Sequence, residues 1–380
     1  MSGKRSIFEE VGGTKTEANT PAPQAIARDD TGSRRMIGRW LFALFLLLVA
    51  MILIGGLTRL TDSGLSITEW KPVTGAMPPM SEASWNSEFD KYRAIPEYQL
   101  QNKGMTLTEF KVIYWWEWGH RQLGRLIGLV WAVGFVGFAV TRKIPPGWTG
   151  RLLLLGVLGG VQGAIGWWMV ASGLRDGMVD VASYRLATHL GLAFVILGFL
   201  AWYILRLSRR SADLLQARRT GDERLWQVTT FLMGLTFLQI AIGALVAGID
   251  AGRAYPDWPL MAGGFLPPDP FGLSPLWRNF FEDAGLVQFM HRMLGYFVFG
   301  FALFTWWRAQ RSANGSIRFG ANSVLAMMSL QVVIGIVTVM YSAPLHLAIV
   351  HQIGAIVLWV LVLRARFLTR YPFAQSVRSG

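Results

Sequence analysis

The sequence predicts an all-α membrane protein, with eight transmembrane helices arranged as two pseudosymmetric four-helix bundles. Three observations predict it. Of 380 residues, 52% are hydrophobic and only 16% charged, a balance foreign to soluble domains of this length. Several apolar runs approach the roughly 20 residues that a helix needs to cross a hydrocarbon core about 30 Å thick. Finally, the chain repeats itself, with His120-Arg-Gln-Leu-Gly124 returning as His291-Arg-Met-Leu-Gly295.

Composition also excludes whole classes of chemistry. The chain has no cysteine, so disulfides, thiolate metal sites, iron–sulfur clusters and thiol nucleophiles are ruled out. Any redox work falls to something bound. The formal charge of +13 is carried by short clusters between apolar runs, which is the pattern of membrane topology and not of a nucleic-acid partner.

Residues 1–36 are polar, of mixed charge, and lack the apolar stretch and cleavage site of a secretory signal, so they read as a disordered cytoplasmic tail. Spans follow near 37–57, 114–141, 152–172 and 186–206, then near 226–248, 286–307, 319–341 and 345–364. The first four form an N-terminal bundle over 37–206, with a long outer loop at 58–113. A cytoplasmic linker covers 207–225, and the second four form a C-terminal bundle over 226–366, with an outer loop at 249–285 and a cytoplasmic tail at 367–380. Eight crossings put both termini on one side. Basic clusters such as Arg34, Arg35 and Arg39, Arg142 and Lys143, Arg206, Arg209 and Arg210, and Arg364, Arg366 and Arg370 share that side, which the positive-inside rule makes cytoplasmic. Thr106-x-x-Glu109 forms a capping-box pattern that starts the second span outside the bilayer.

The repeat extends beyond its first match. Gln162, Ile165 and Gly166 pair with Gln331, Ile334 and Gly335, and Ile54-Gly55 pairs with Ile242-Gly243. His189 pairs more loosely with His351. Halves with an even number of crossings share one orientation, so their symmetry axis runs along the membrane normal.

Four of the five histidines occupy these matched positions: His120 and His189 in the first half, His291 and His351 in the second. All four fall near the outer ends of their helices. A single intramembrane histidine reads most simply as an interhelical hydrogen bond. Two matched pairs, each on facing helices of one bundle, are instead the arrangement that holds a heme iron from both sides. Gly124 and Gly295, one turn beyond His120 and His291, are expected to leave room for a flat macrocycle. No third protein ligand accompanies either pair, which disfavours zinc. His346 is the alternative to His351; five residues apart, the two point about 140° from each other and cannot serve one iron.

Three residues before His120 stands Glu117, on the same helical face; before His291 the equivalent residue is Gln288. A carboxylate in a span is costly unless it is wet, paired or useful. Its plain explanation is an ion pair with Arg121 at i+4. The functional explanation makes the first half the reacting half, with Glu117 as its acid, base or charge stabiliser at a mouth open to water. Arg59, Arg121, Arg125, Arg253 and Arg292 lie near outer span ends, where propionates would meet cations, although snorkelling accounts for them almost as well.

From about residue 37 to 366 the chain resembles the heme A synthase family. The resemblance rests on Gly55-Gly56-Leu57-Thr58-Arg59-Leu60-Thr61, on Ser63-Gly64-Leu65-Ser66-Ile67-Thr68-Glu69-Trp70 with Lys71-Pro72, and on Glu117-x-x-His120-Arg-x-x-Gly124-Arg125. It continues in Asp257-Trp258-Pro259 and His291-Arg-x-x-Gly295. The long first outer loop without cysteine is similar to the proteobacterial and mitochondrial branch. The resemblance implies substrate heme O in the first bundle, facing His120 and His189, and a heme b cofactor in the second, held by His291 and His351. It implies oxidation of the heme O methyl at C8 to a formyl group, assisted by Glu117, in the bacterial inner membrane. Heme O synthase and an electron-transfer partner would be the protein partners. Two rivals use the same histidines: a dihaem cytochrome that only relays electrons, and a heme transporter or chaperone that leaves its cargo unchanged.

Overall fold

The computed structural model describes residues 31–375. Within them lie twelve α-helices and no β-strand. Eight are long and apolar enough to cross a membrane: α1 (Thr31–Leu60), α4 (Leu107–Val140), α5 (Thr149–Gly173), α6 (Ser183–Leu207), α8 (Glu223–Gly248), α10 (Ala284–Gln310), α11 (Gly315–Met340) and α12 (Leu345–Arg370). Four short helices connect them: α2 (Glu82–Arg93), α3 (Pro96–Leu100), α7 (Ser211–Arg219) and α9 (Asn279–Glu282). Each expected span lies on one long helix, so this is a multi-pass membrane protein.

The ends differ from the sequence reading in instructive ways. The expected tail falls largely on residues 1–30, outside the described residues, but 31–36 are helical turns of α1 and not tail. Arg34 fixes this extension, donating to the carbonyls of Arg206 and Arg209 at 2.8 and 2.6 Å. Likewise α12 continues past 366 to Arg370, because Phe367 and Tyr371 are buried against Leu214 and Ala217 of α7. Thr106 and Glu109 form the expected reciprocal capping box at the start of α4.

Packing follows the apolar stripes. Ile37, Leu41, Leu44, Leu48 and Ile52 recur at helical spacing along α1 and are buried. They join residues of α5 and α6, together with Ile356, Trp359 and Leu363 of α12, in the largest apolar cluster. Helix α1 packs on α4 and α6, and α5 lies between α4 and α6. Helix α8 packs on α10 and α12, and α11 lies between α10 and α12. Contacts of α6 with α8 and α12, and of α1 with α12, join the two sets. Glycine sets one close approach: a methyl on Gly156 would overlap the indole of Trp131, whose N–H donates to the Leu152 carbonyl at 3.0 Å. Leu126, Leu129, Val133, Val136 and Val140 on α4 remain exposed, the pattern of a face meeting lipid.

The long connection between α1 and α4 is a folded cap. Trp85, Phe89 and Tyr92 of α2 pack with Leu65, Ile67, Phe110, Tyr114 and Val170 in one buried cluster. This cluster presses residues 63–70 onto the outer part of α4, where Glu117 lies. The connection between α8 and α10 is pinned by buried Asn279, whose amide donates to the carbonyls of Leu273 and Leu276 and accepts from the Leu273 N–H.

Candidate active site

The four repeat-related histidines stand partly buried on α4, α6, α10 and α12. Each ring packs against a glycine of a neighbouring helix. A Cβ built on Gly55 would lie 3.1 Å from His120 Nε2; on Gly166, Gly243 and Gly335 it would lie 2.9, 3.0 and 3.0 Å from Cε1 of His189, His291 and His351. A methyl on Gly166 would displace the imidazole, and at Gly55, Gly243 and Gly335 the ring would have to give by a few tenths of an ångström. Gly124 and Gly295, expected to make room for a macrocycle, instead face Met51 Cε at 3.4 Å and Gln239 Nε2 at 3.3 Å.

Glutamines complete three of the four environments. Gln162 Nε2 donates to the His189 carbonyl at 3.0 Å and lies 3.2 Å from its Nδ1. Gln239 makes the same pair of contacts with His291, at 3.0 and 3.1 Å, and Gln331 with His351, at 2.8 and 3.2 Å. In each case the glutamine is anchored by its donation to the histidine carbonyl, and its Oε1 has no hydrogen-bond partner among the described residues. Gln162 and Gln331 were visible in the repeat without an assigned partner. Gln239 was not, because its repeat counterpart is Met51 and no identity marks the position.

His291 and His351 face each other with ring centroids 6.5 Å apart and planes at 77°. Two metal–nitrogen bonds of about 2.0 Å with half a ring on either side add up to about that separation, so the spacing of the pair has room for one metal ion between the rings. His346 is exposed in the first turn of α12, on a different face from His351. No group of three metal-ligating side chains occurs among the described residues.

Glu117 is buried, with 3% of its surface exposed, and does not stand at an open mouth as the sequence suggested. Arg121 donates to Oε1 from Nε at 3.1 Å and Nη2 at 2.5 Å. Ser66 Oγ and the Ile67 N–H donate to Oε2 at 2.7 and 2.6 Å. The ion pair of the plain explanation is present, within a larger net. Four donors match the acceptor capacity of an ionised carboxylate. The contacts from Ser66 and Ile67 escape sequence reasoning because they cross about fifty residues, although both belong to the motif that carried the family resemblance.

In the second half the frame recurs without the charge. Gln288 is buried and donates to the Tyr255 carbonyl at 3.2 Å, and Arg292 donates to Tyr255 and Leu260 carbonyls at 2.8 and 3.1 Å. Arg121 similarly holds the carbonyls of Ile67 and Glu69, at 2.7 and 2.9 Å. Each arginine thus clamps its own outer loop. Arg125 donates to the carbonyls of Lys71 and Pro72 at 2.9 and 2.8 Å. Arg59 pairs with Asp62, Asp180 and Asp250 at 2.8, 3.5 and 2.9 Å, tying the outer ends of α1 and α8 together. The arginines considered for propionates thus have protein acceptors, Arg253 included, 3.7 Å from Asp250. Between the first loop and α4, a cavity of about 220 Å³ is lined by Glu69, Lys71, Tyr114, Arg121 and Arg125, among others.

A second buried acid lies in the cap. Glu97 of α3 is 2% exposed, with Oε1 3.5 Å from the Asn102 amide and Oε2 lacking a hydrogen-bond partner. Burial first, then the charges of Asp180, Asp62 and Glu117, push its carboxyl up to about 8. An acid whose folded value lies above its unfolded one takes up a proton on folding at intermediate pH, so stability falls as pH rises from about 4.5 to about 8. Glu97→Gln should flatten that slope and raise the melting temperature at pH 8 by a few degrees, read by thermal unfolding of the purified protein at pH 5, 6.5 and 8. An unchanged slope would show that Glu97 ionises freely in the cap.

Comparison with known proteins follows the same lines. Residues 38–363 match the family model described as cytochrome oxidase assembly protein. The heme A synthase of Dinoroseobacter shibae is 64% identical over 381 residues, covering the whole of both chains. That of Ruegeria sp. (strain TM1040) is 63% identical over 376 residues, 98% of this chain and 99% of the relative. That of Paracoccus denitrificans is 57% identical over 375 residues, 99% and 98% of the two chains. With paired intramembrane histidines on matched helices and near-complete coverage at such identity, the chain belongs to the heme A synthase family of cytochrome oxidase assembly proteins.

Proposed function

We propose that this protein oxidises the C8 methyl of heme O to a formyl group, giving heme A for terminal oxidases. The substrate lies in the first of two pseudosymmetric bundles, 37–206, between His120 and His189. A heme b cofactor lies in the second, 226–366, between His291 and His351. The observation that carries this reading is the asymmetry between otherwise corresponding sites: the frame around His120 contains the Glu117 carboxylate, and the frame around His291 contains Gln288. In a chain that only relayed electrons, the charge would serve only to fasten the loop to α4 through Arg121, Ser66 and Ile67.

Conversion of a methyl to an aldehyde takes up two water-level oxygens through alcohol and gem-diol stages and loses one as water, so that net R–CH3 + H2O gives R–CHO, four protons to solvent and four electrons to the electron acceptor. Bound heme b supplies one-electron redox capacity. The protein's own groups orient and polarise. His120 and His189 position the substrate ring. Glu117, with both oxygens engaged by donors, acts as a fixed negative charge near the reacting carbon and stabilises cationic character there. The cap over residues 61–106 keeps this charge away from bulk water, which strengthens its field. Both termini lie in the cytoplasm of a bacterial cell, the sites lie toward the outer face of the inner membrane, and heme O synthase and an electron acceptor are the protein partners.

Expression in a host that makes heme O and no heme A tests the reading. Extracted pigment should contain a formyl-bearing heme that the empty host lacks. Heme O returned unaltered would leave an electron-relay cytochrome or a heme carrier in its place.

A further inference from the structure

Among the described residues two arginines are buried, Arg34 with 5% of its surface exposed and Arg185 with 7%. They stand at opposite ends of the first bundle. Arg34 donates to Ser211 and to the carbonyls of Arg206 and Arg209. Arg185, in the first turn of α6, makes one hydrogen bond, from Nη1 to the Trp168 carbonyl at 2.6 Å. Its Nε is buried without an acceptor, and no carboxylate pairs with it. The guanidinium lies 4.4 Å from the ring centroid of Trp168 and 6.0 Å from that of Tyr184. Such cation–π contacts return only part of what an ion loses when it leaves water. A buried cation on a membrane-spanning helix without a protein counter-charge marks a place where a counter-charge is brought in.

That place is next to His189. Arg185 precedes it by four residues, so both share one face of α6, about 6 Å apart along the axis. Both address the same strip of α5: the His189 ring lies against Gly166, and the Arg185 guanidinium lies against Trp168, two residues further on. Arg185 is on the side of His189 nearer the cap, into which Val170 and Val181 pack from either side of the α5–α6 turn. Glu117 precedes His120 by three residues, on a helix that runs in the same direction. Acid and cation therefore stand about one turn toward the cap from the two histidines of the first site. In the second half, four residues before His351, stands Leu347. The five arginines that the sequence offered for propionates are held by loop carbonyls or carboxylates.

We propose that Arg185 receives a propionate carboxylate of the substrate in the first site. The inference rests on the reading that heme O lies between His120 and His189. Nη2, which has no protein acceptor and is not enclosed, is the donor left for the carboxylate. The C8 methyl of heme O shares its pyrrole ring with one of the two propionates. Anchoring that edge of the porphyrin at the capped end therefore also brings the reacting methyl to the level of Glu117.

The test uses the full-length protein in lipid nanodiscs with its heme b in place. It is titrated with heme O and, separately, with heme O whose propionates are methyl esters, and binding is read from the absorbance change that His120→Ala or His189→Ala removes. Arg185→Gln should weaken heme O binding about 10–100-fold and leave diester binding and heme b content unchanged. Arg185→Lys, which keeps the charge but not the planar fork, should recover part of the loss. Equal affinity of wild type and Arg185→Gln for heme O would overturn the proposal. So would an equal loss for acid and diester, the result of a merely structural role. If Arg185→Gln does not assemble, Arg185→Lys replaces it, and a wild-type preference for acid over diester overturns the proposal. If neither histidine variant alters heme O binding, the site itself is misplaced and the inference falls with it. If both do while Arg185→Gln binds as the wild type does, only the anchoring by Arg185 is lost.

Discussion

Glu117→Gln should lower heme A formation about 10²–10³-fold, while bound heme b stays at its wild-type level. The membrane should accumulate heme O or a hydroxylated intermediate. Glutamine keeps the shape of the side chain and one acceptor oxygen but removes the charge. It also turns an N–H₂ group toward one of two pairs of donors, either those of Arg121 or those of Ser66 and Ile67. Such a donor-to-donor contact in a buried site is unfavourable, so the loop at 63–70 is expected to loosen as well. Glu117→Asp separates the two effects, because it restores the charge but shortens the reach; partial recovery of the formyl product identifies the charge as the active element. Quantifying extracted hemes O, A and B per mole of protein gives the answer directly. Wild-type heme A yield from Glu117→Gln would remove Glu117 from the chemistry and leave it as the residue that fastens the cap to α4.

His291→Ala and His351→Ala should each remove the resident b-type heme and with it all heme A output, while His346→Ala should change neither. The two rings lie 6.5 Å apart, so on the proposed reading loss of either one removes half of the ligand pair, and Gln239 or Gln331 loses its imidazole neighbour. His346 is exposed one turn earlier on another face. Pyridine hemochrome content of the purified variants distinguishes the three. Full heme b in His351→Ala with loss in His346→Ala would move the ligand assignment by five residues and displace Gln331 from its role.

How much was legible in the sequence varies by element. The eight spans were readable because a bilayer demands long apolar runs and the chain supplies them with charged punctuation. The helix ends were less so. The extension of α1 to Thr31 depends on Arg34 reaching carbonyls of Arg206 and Arg209, and that of α12 depends on Phe367 finding α7. The histidine quartet was legible because duplication printed it twice. Glu117 stood out by contrast with Gln288, yet its burial did not, because the residues that cover it come from a loop some fifty positions earlier. Gln239 illustrates the limit from the other side: where the two halves differ, as at Met51, a search for identity passes over the position that distinguishes them.

The sequence by itself determined the number and placement of the crossings, the side that carries the basic residues, the register of the four histidines and the presence of a carboxylate beside only one matched pair. Each of these is written in a local pattern or in a repeat, and local patterns act over one or two helical turns. Only the tertiary structure decided which glutamine meets which imidazole, that Glu117 is enclosed by Arg121, Ser66 and Ile67, and that α1, α6, α8 and α12 join the two sets of helices. Those facts depend on interhelical distances of a few ångströms, set by the combined packing of side chains far apart in the chain.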